Sequence, residues 1–143
     1  MEIVQIQKSD LTDLSQLHED LSDMKSNFSK IEANFALMIK NDYYHLIGAK
    51  IDNRLVGSLM GILCLDLVGE CRPFMIIENV IVSKDYRNKG IGKALLNEIE
   101  MIAKKLNCYY IFFVSGDNRK EAHKFYESVG YNNDKVKGFK KYL

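Results

Sequence analysis

Tryptophan is missing from this 143-residue chain, proline occurs once and cysteine only three times. Cys64, Cys71 and Cys108 are too few and too odd in number for a disulfide framework, and each reads as a reduced, small apolar residue. Neither a Cys-x-x-Cys nor a His-x-x-x-His spacing is present, so no metal is expected. No apolar run is long enough to span a bilayer, and Met1-Glu2 opens without the basic region and apolar core of a signal peptide. A cytoplasmic protein is the expectation. An excess of one charge is lacking too: 20 Lys and Arg against 19 Asp and Glu leave +1, which makes no overall case for a nucleic-acid partner. The late lysines, Lys135, Lys137, Lys140 and Lys141, read as the solvated edge of a last strand. Without repeats, low-complexity stretches or linkers, a single domain over 1–143 is expected, and 47% apolar residues give it a core.

The patterning predicts an α/β (α+β) chain of order β-α-α-β-β-β-α-β-α-β. Ile3 to Gln7 alternates weakly as a first strand. Ser9 or Asp10 can cap a helix carrying Leu11, Leu14, Leu17 and Leu21 on one face. Phe28, Ile31, Phe35 and Met38 mark a second helix. Tyr43 to Ile51 and Leu55 to Leu67 read as a hairpin around Asp52-Asn53-Arg54. After a loop from Val68 to Pro73, Phe74 to Ser83 is a strand. Ile91, Ala94, Leu95, Ile99, Ile102 and Leu106 then form a helical stripe. Tyr109 to Ser115 is a buried strand, Asn118 to Val129 a helix closed by Gly130, and Val136 to Leu143 a last strand.

The richest stretch is Glu78-Asn79-Val80-Ile81-Val82-Ser83-Lys84-Asp85-Tyr86-Arg87-Asn88-Lys89-Gly90-Ile91-Gly92-Lys93. A strand enters a basic turn with two glycines, and the turn opens a helix. The unpartnered N–H groups and dipole of a helix start attract an anion, and glycine lets backbone approach it. A P-loop would need glycine where Arg87 stands and Ser or Thr where Ala94 stands, so that reading fails twice. A dinucleotide fingerprint would need glycine at Leu95. What remains, Arg87-Asn88-Lys89-Gly90-Ile91-Gly92 between strand and helix, resembles the coenzyme A loop of the GNAT superfamily of N-acetyltransferases. The element order fits the same fold, a mixed, mostly antiparallel sheet flanked by about four helices. The resemblance implies that the backbone from Arg87 to Lys93 grips the pyrophosphate of acetyl-CoA, with charge from Arg87, Lys89 and Lys93. It also implies that Val80, Ile81 and Val82 pair by backbone with the pantetheine, and that a backbone N–H there meets the oxyanion.

Amine acetylation needs an amine that has lost a proton and a thiolate that can leave. Glu78 is the candidate base. A carboxylate is costly in Phe74-Met75-Ile76-Ile77-Glu78 unless it faces solvent or a cleft, and alternation puts it on the side of Val80 and Val82. Its place nine residues before Arg87, with Asp85-Tyr86-Arg87, looks like the spermidine/spermine acetyltransferase branch, which implies deprotonation through water. Tyr126 is the candidate acid, because Phe125-Tyr126-Glu127-Ser128-Val129-Gly130-Tyr131 resembles the family helix whose tyrosine faces the coenzyme A sulfur. Its spacing with Ala122, Phe125 and Val129 also suits plain packing. The family asparagine seven residues before that tyrosine is Arg119 here, with Asn118 one earlier; either contacts the cofactor, or Asn118 caps the helix. His123 flanks the stripe and reads as exposed, while His45 is a candidate for the acceptor side of the hairpin.

For the acceptor, the candidate walls are Met24 to Phe28, Tyr43, Tyr44 and Leu65 to Arg72, with Asp66 and Glu70 as attractors of a cation. A small-molecule or peptide amine is expected. Polyamine, aminoglycoside, amino-acid and peptide amines stay open, as does a non-catalytic acyl-CoA-binding or regulatory module of the same fold. A nucleotide-binding module is disfavoured by the failed spacings. Family habit adds a homodimer, with the C-terminal strand as a candidate interface.

Overall fold

The computed structural model describes residues 1–132 and 136–143. Lys135 of the predicted basic tail lies outside the described residues. The chain divides into two compact units, Met1–Phe112 and Phe113–Leu143.

The first unit is a five-stranded sheet in the order β1-β2-β3-β4-β5. Its strands are β1 (Glu2–Gln5), β2 (Tyr44–Ile51), β3 (Arg54–Cys64), β4 (Phe74–Val82) and β5 (Ile111–Phe112). Neighbours are antiparallel except β4 and β5, which run parallel. The hairpin between β2 and β3 turns at Asp52 and Asn53, both at positive φ (49° and 61°), the pairing that suits strand twist and that Asn and Asp tolerate.

Helices α1 (Leu11–Ser22) and α2 (Phe28–Met38) lie on one face. Leu11, Leu14, Leu17 and Phe35 form a core with Ile6, Leu46, Leu55 and Ile81 of the sheet. The stripe read from sequence is therefore the packed one. Asn27 caps α2 by accepting the Lys30 N–H at 3.1 Å. Asp10 sits at the start of α1 but binds elsewhere: its carboxylate accepts the Gln7 N–H at 2.9 Å and lies 2.6 Å from Lys50 Nζ. Helix α3 (Ile91–Lys105) covers the other face. It comes close because β3 offers glycine there. A Cβ on Gly57 would stand 3.2 Å from Ile91 and 3.3 Å from Leu95, and one on Gly61 would strike Ile99.

Several boundaries differ from the sequence reading; the second hairpin strand, for example, ends at Cys64 and not at Leu67. The first strand is Glu2–Gln5 and stops before Gln7. The strand expected from Tyr109 to Ser115 pairs only over Ile111–Phe112. The strand expected from Val136 to Leu143 does not form: residues 136–143 have no strand structure, and Val136, Phe139, Tyr142 and Leu143 are exposed. Their apolar spacing of three, three and one lacks the period of two that a half-buried strand needs. The second unit holds α4 (Lys120–Ser128), closed by Gly130 at φ 97°.

Asp10 is only 5% exposed, so its loss would strand the Lys50 ammonium and the Gln7 N–H. Asp10→Ala is expected to lower stability by about 3 kcal/mol, the size of breaking a buried pair from one side. Urea denaturation checks this, and a loss within experimental error would reduce the pair to a surface contact.

Candidate active site

Between Ser58 and Met60 on β3 the ladder with β4 slips. Ser58 lies opposite Ile81, and Met60 opposite Glu78. Two steps on β3 thus match three on β4, which leaves one extra residue in β4. Asn79 takes up the difference at φ 56°, a left-handed conformation that Asn tolerates better than most residues.

This bulge corrects the side assigned to Glu78. Ile77 and Val82 lie opposite Gly61 and Gly57, the two glycines beneath α3. Ile81 instead joins the α1–α2 core and shares the face of Ser58 and Met60. Glu78 is therefore on the α1–α2 face with Ile81, and away from Val80 and Val82, because one inserted residue inverts the alternation. Both Glu78 and Asn79 are exposed. Tyr44, opposite Ile62, is on the face of Glu78.

The parallel ladder of β4 and β5 consists of Met75 with Ile111 and Ile76 with Phe112. Beyond Ile76, no strand among the described residues pairs with the outer edge of β4. That stretch holds Val80, Ile81 and Val82. A bulge bends and twists the strand that carries it, which is a physical reason for the short ladder.

Past Val82, a 3-10 turn over Lys84–Tyr86 leads to Asn88 (φ 61°) and Gly90 (φ 79°). Gly90 is the residue before α3, and a Cβ there would have open space around it, so the glycine is needed for its backbone angle alone. The helical ladder starts with Ala94 N–H donating to the Gly90 carbonyl at 3.0 Å. The N–H groups of Ile91, Gly92 and Lys93 precede that ladder and are the orphan donors of the helix start. The basic side chains are braced across the turn. Arg87 Nε donates to the Val82 carbonyl at 3.1 Å, and Lys89 Nζ donates to the Asp85 carbonyl at 3.0 Å while standing 4.9 Å from the Tyr86 ring centroid. These residues fit a pyrophosphate: backbone donors at a helix start, with fixed cations beside them.

In the second unit, Tyr126 is 8% exposed. Its ring packs against Phe113 at 4.5 Å and Phe125 at 5.3 Å between centroids. Burial pushes its phenol above the ordinary value, and the Arg119 cation offsets part of this. The group is a neutral proton donor at physiological pH. Arg119 occupies the position before α4 and Asn118 lies one residue earlier, so Asn118 is not the cap. Both are exposed, and His123 is half-buried where exposure was expected.

His45 departs from its expected place. It lies opposite Gly61, on the α3 face, against a cleft of about 180 Å³ that Ile3, Ile47, Glu98 and Ile102 also line. Burial lowers its pKa, with Asp42 acting in the other direction. His45 is thus on the opposite side of the sheet from Glu78. Asp66 is engaged locally, accepting the N–H groups of Leu67 and Val68 at 2.7 and 3.2 Å. The feature that sequence reasoning missed is Asn79. Its only signal was a second polar residue beside Glu78 in an otherwise apolar strand.

The bulged β4 strand, its short ladder with β5 and the glycine turn into α3 are the features on which the comparison with known proteins bears. The model of the acetyltransferase (GNAT) family matches residues 7–131, and the chain belongs to that family. A probable glucosamine 6-phosphate N-acetyltransferase of Drosophila melanogaster is 30% identical over 79 residues, 55% of this chain and 35% of that protein. The chain thus matches about a third of that relative's length. A putative acetyltransferase from Agrobacterium tumefaciens superposes with a TM-score of 0.92 at 26% identity, covering 100% of both chains. AAC(6')-Iy in complex with the bisubstrate analog CoA-S-monomethyl-acetylneamine shares the fold, with a TM-score of 0.82 at 18% identity over 99% of this chain and 98% of that one.

The raised phenol gives a signed expectation. An unfolded tyrosine ionises near pH 10, before the buried one does. Stability from this group is therefore fully present below about pH 10 and is lost as pH rises toward the higher folded value. Thermal melts from pH 8 to 11 should show a shallower alkaline decline in Tyr126→Phe than in the parent. Identical slopes would contradict the burial of the hydroxyl.

Proposed function

We propose that this chain is an N-acetyltransferase that moves the acetyl group of acetyl-CoA to a primary amine by direct attack in a ternary complex. The observation that carries this reading is the outer edge of β4 beyond Ile76, with which no strand among the described residues pairs, and which runs from the Asn79 bulge into the glycine turn and orphan N–H groups of α3. Backbone groups of Val80, Ile81 and Val82 would pair with the pantetheine amides, and a backbone N–H of that edge would meet the developing oxyanion. Ile91, Gly92 and Lys93 N–H groups would hold the pyrophosphate with Arg87, Asn88, Lys89 and Gly90, and Asn118 or Arg119 would add a contact. Glu78, exposed on the α1–α2 face, would take the amine proton through water. Tyr126, whose phenol is protonated at neutral pH, would donate to the departing thiolate. A titrated amine is mostly protonated at neutral pH, so the base acts on the scarce step.

Free-thiol release from acetyl-CoA, measured against polyamines, glucosamine 6-phosphate, aminoglycosides and short peptides, tests the reading. Amine-dependent release is expected. Binding of coenzyme A without release for any amine would favour the non-catalytic module. Glu78→Gln should lower kcat about 10²-fold, most strongly below neutral pH, and leave acetyl-CoA affinity in place. An unaltered pH–rate profile would return Glu78 to a structural role. Gly92→Glu should abolish coenzyme A binding in calorimetry, since a carboxylate would enter the anion seat; retained tight binding would sink the phosphate assignment.

A further inference from the structure

The sheet register also fixes what surrounds Glu78. Ile62 lies opposite Ile76 and Cys64 opposite Phe74, on the face that Glu78 shares with Met60. The parallel pairing sets Phe112 beside Ile76 on that face. Tyr110 joins through its ring, which stacks on Phe74 at 5.2 Å and 17°. Phe112 completes the group, 6.0 Å from Phe74 and 6.2 Å from Tyr110 between centroids. Met60 still packs against the α1–α2 core, but beyond it the cover thins. Ile62, Cys64, Phe74 and Ile76 are half-buried, while Tyr110 and Phe112 remain 44% and 42% exposed.

The result is an apolar shelf with three clustered rings and the Glu78 carboxylate at one end. Phe74 and Tyr110 lie within 17° of parallel and Phe112 tilts against them by 32° and 48°, so the cluster offers ring faces and edges to another aromatic or apolar group. The carboxylate end suits an ammonium. Arg72, 5.4 Å from the Tyr109 ring centroid, keeps its charge but already donates through Nε and Nη2 to the Asn107 and Cys108 carbonyls, which leaves it fewer donors for a sugar phosphate. Ile76 is two residues from Glu78, which places it and neighbouring Phe112 about 7 Å along the strand from the carboxylate.

We propose that Phe74, Tyr110 and Phe112 form the acceptor subsite, and that it takes a primary amine whose nitrogen is separated from an aromatic or flat apolar group by a spacer of about three or four carbons. The inference rests on Glu78 as the base. In the reaction the ammonium gives up one proton through Glu78, its nitrogen forms the N–C bond to the acetyl carbon, and the C–S bond breaks. The thiolate takes one proton to become free coenzyme A. One proton remains on the amide nitrogen, and the net release is one proton per turnover.

The test compares kcat/KM for 4-phenylbutylamine, n-butylamine and glucosamine 6-phosphate by thiol release with acetyl-CoA. The aromatic amine should exceed n-butylamine by at least about tenfold, carried by KM, a factor in keeping with one aromatic contact plus burial. In Phe112→Ala and in Tyr110→Ala, both exposed positions, the ratio of the two amines should collapse toward one. Equal kcat/KM in the parent chain, a preference for glucosamine 6-phosphate, or an unchanged ratio in both variants would overturn the subsite and leave the transferase standing. Silence with every amine would overturn the transferase reading instead. Saturation-transfer NMR with 4-phenylbutylamine then decides the shelf independently: transfer that disappears in Phe112→Ala supports it, and no transfer to the parent protein overturns it.

Discussion

One extra residue in β4 organises this protein. Without the bulge at Asn79, Ile77 and Ile81 would face the same side of the sheet. With it, Ile77 packs beneath α3 while Ile81 enters the α1–α2 core. The same insertion leaves Glu78 exposed on the α1–α2 face and turns Val80 and Val82 to the other. In the proposed reading, backbone for a cosubstrate and a carboxylate for its acceptor thereby fall on adjoining parts of one strand. A left-handed asparagine is a modest cost for that arrangement, and a strand bent there parts readily from a parallel neighbour.

The second constraint is the turn that follows. Asn88 and Gly90 both hold positive φ, so the chain turns from β4 into α3, whose first N–H groups precede the helical ladder. Arg87 and Lys89 are tied to backbone carbonyls within the same turn. Each of these hydrogen bonds holds its cation over the turn, and in the proposed reading that lowers the ordering cost of binding an anion. In the second unit, burial of Tyr126 pushes the pKa of its phenol up. Each group is set by local physics that needs no ligand to be present.

Much of the fold was legible because it rests on short-range signals. The leucine stripe of α1, the Asp52-Asn53 turn and the glycines before α3 state their roles within a few residues. The family resemblance followed from Arg87 to Gly92 in that context, and the match over residues 7–131 bears it out. What was hidden depends on pairing between distant segments. Apolar alternation cannot reveal an inserted residue, because Val80 and Val82 both follow it and alternate correctly with each other. Hence the side of Glu78 was misread. The Asp10–Lys50 pair was hidden in the same way, since its partners come from separate elements. His45 was misplaced because its face depends on being opposite Gly61. The shelf of Phe74, Tyr110 and Phe112 likewise emerges only once β4 and β5 are set side by side. The last strand failed for the opposite reason: composition suggested it, but the spacing of Val136, Phe139 and Tyr142 does not alternate.

The central claim is that the free edge of β4 and the start of α3 form one continuous cradle for coenzyme A. Backbone amide shifts, followed by NMR as coenzyme A is added, test it most directly. The account expects the largest changes at Val80, Val82 and the amides from Asn88 to Lys93, all saturating together. Unmoved signals at these residues, with changes concentrated elsewhere or absent at saturating coenzyme A, would contradict it.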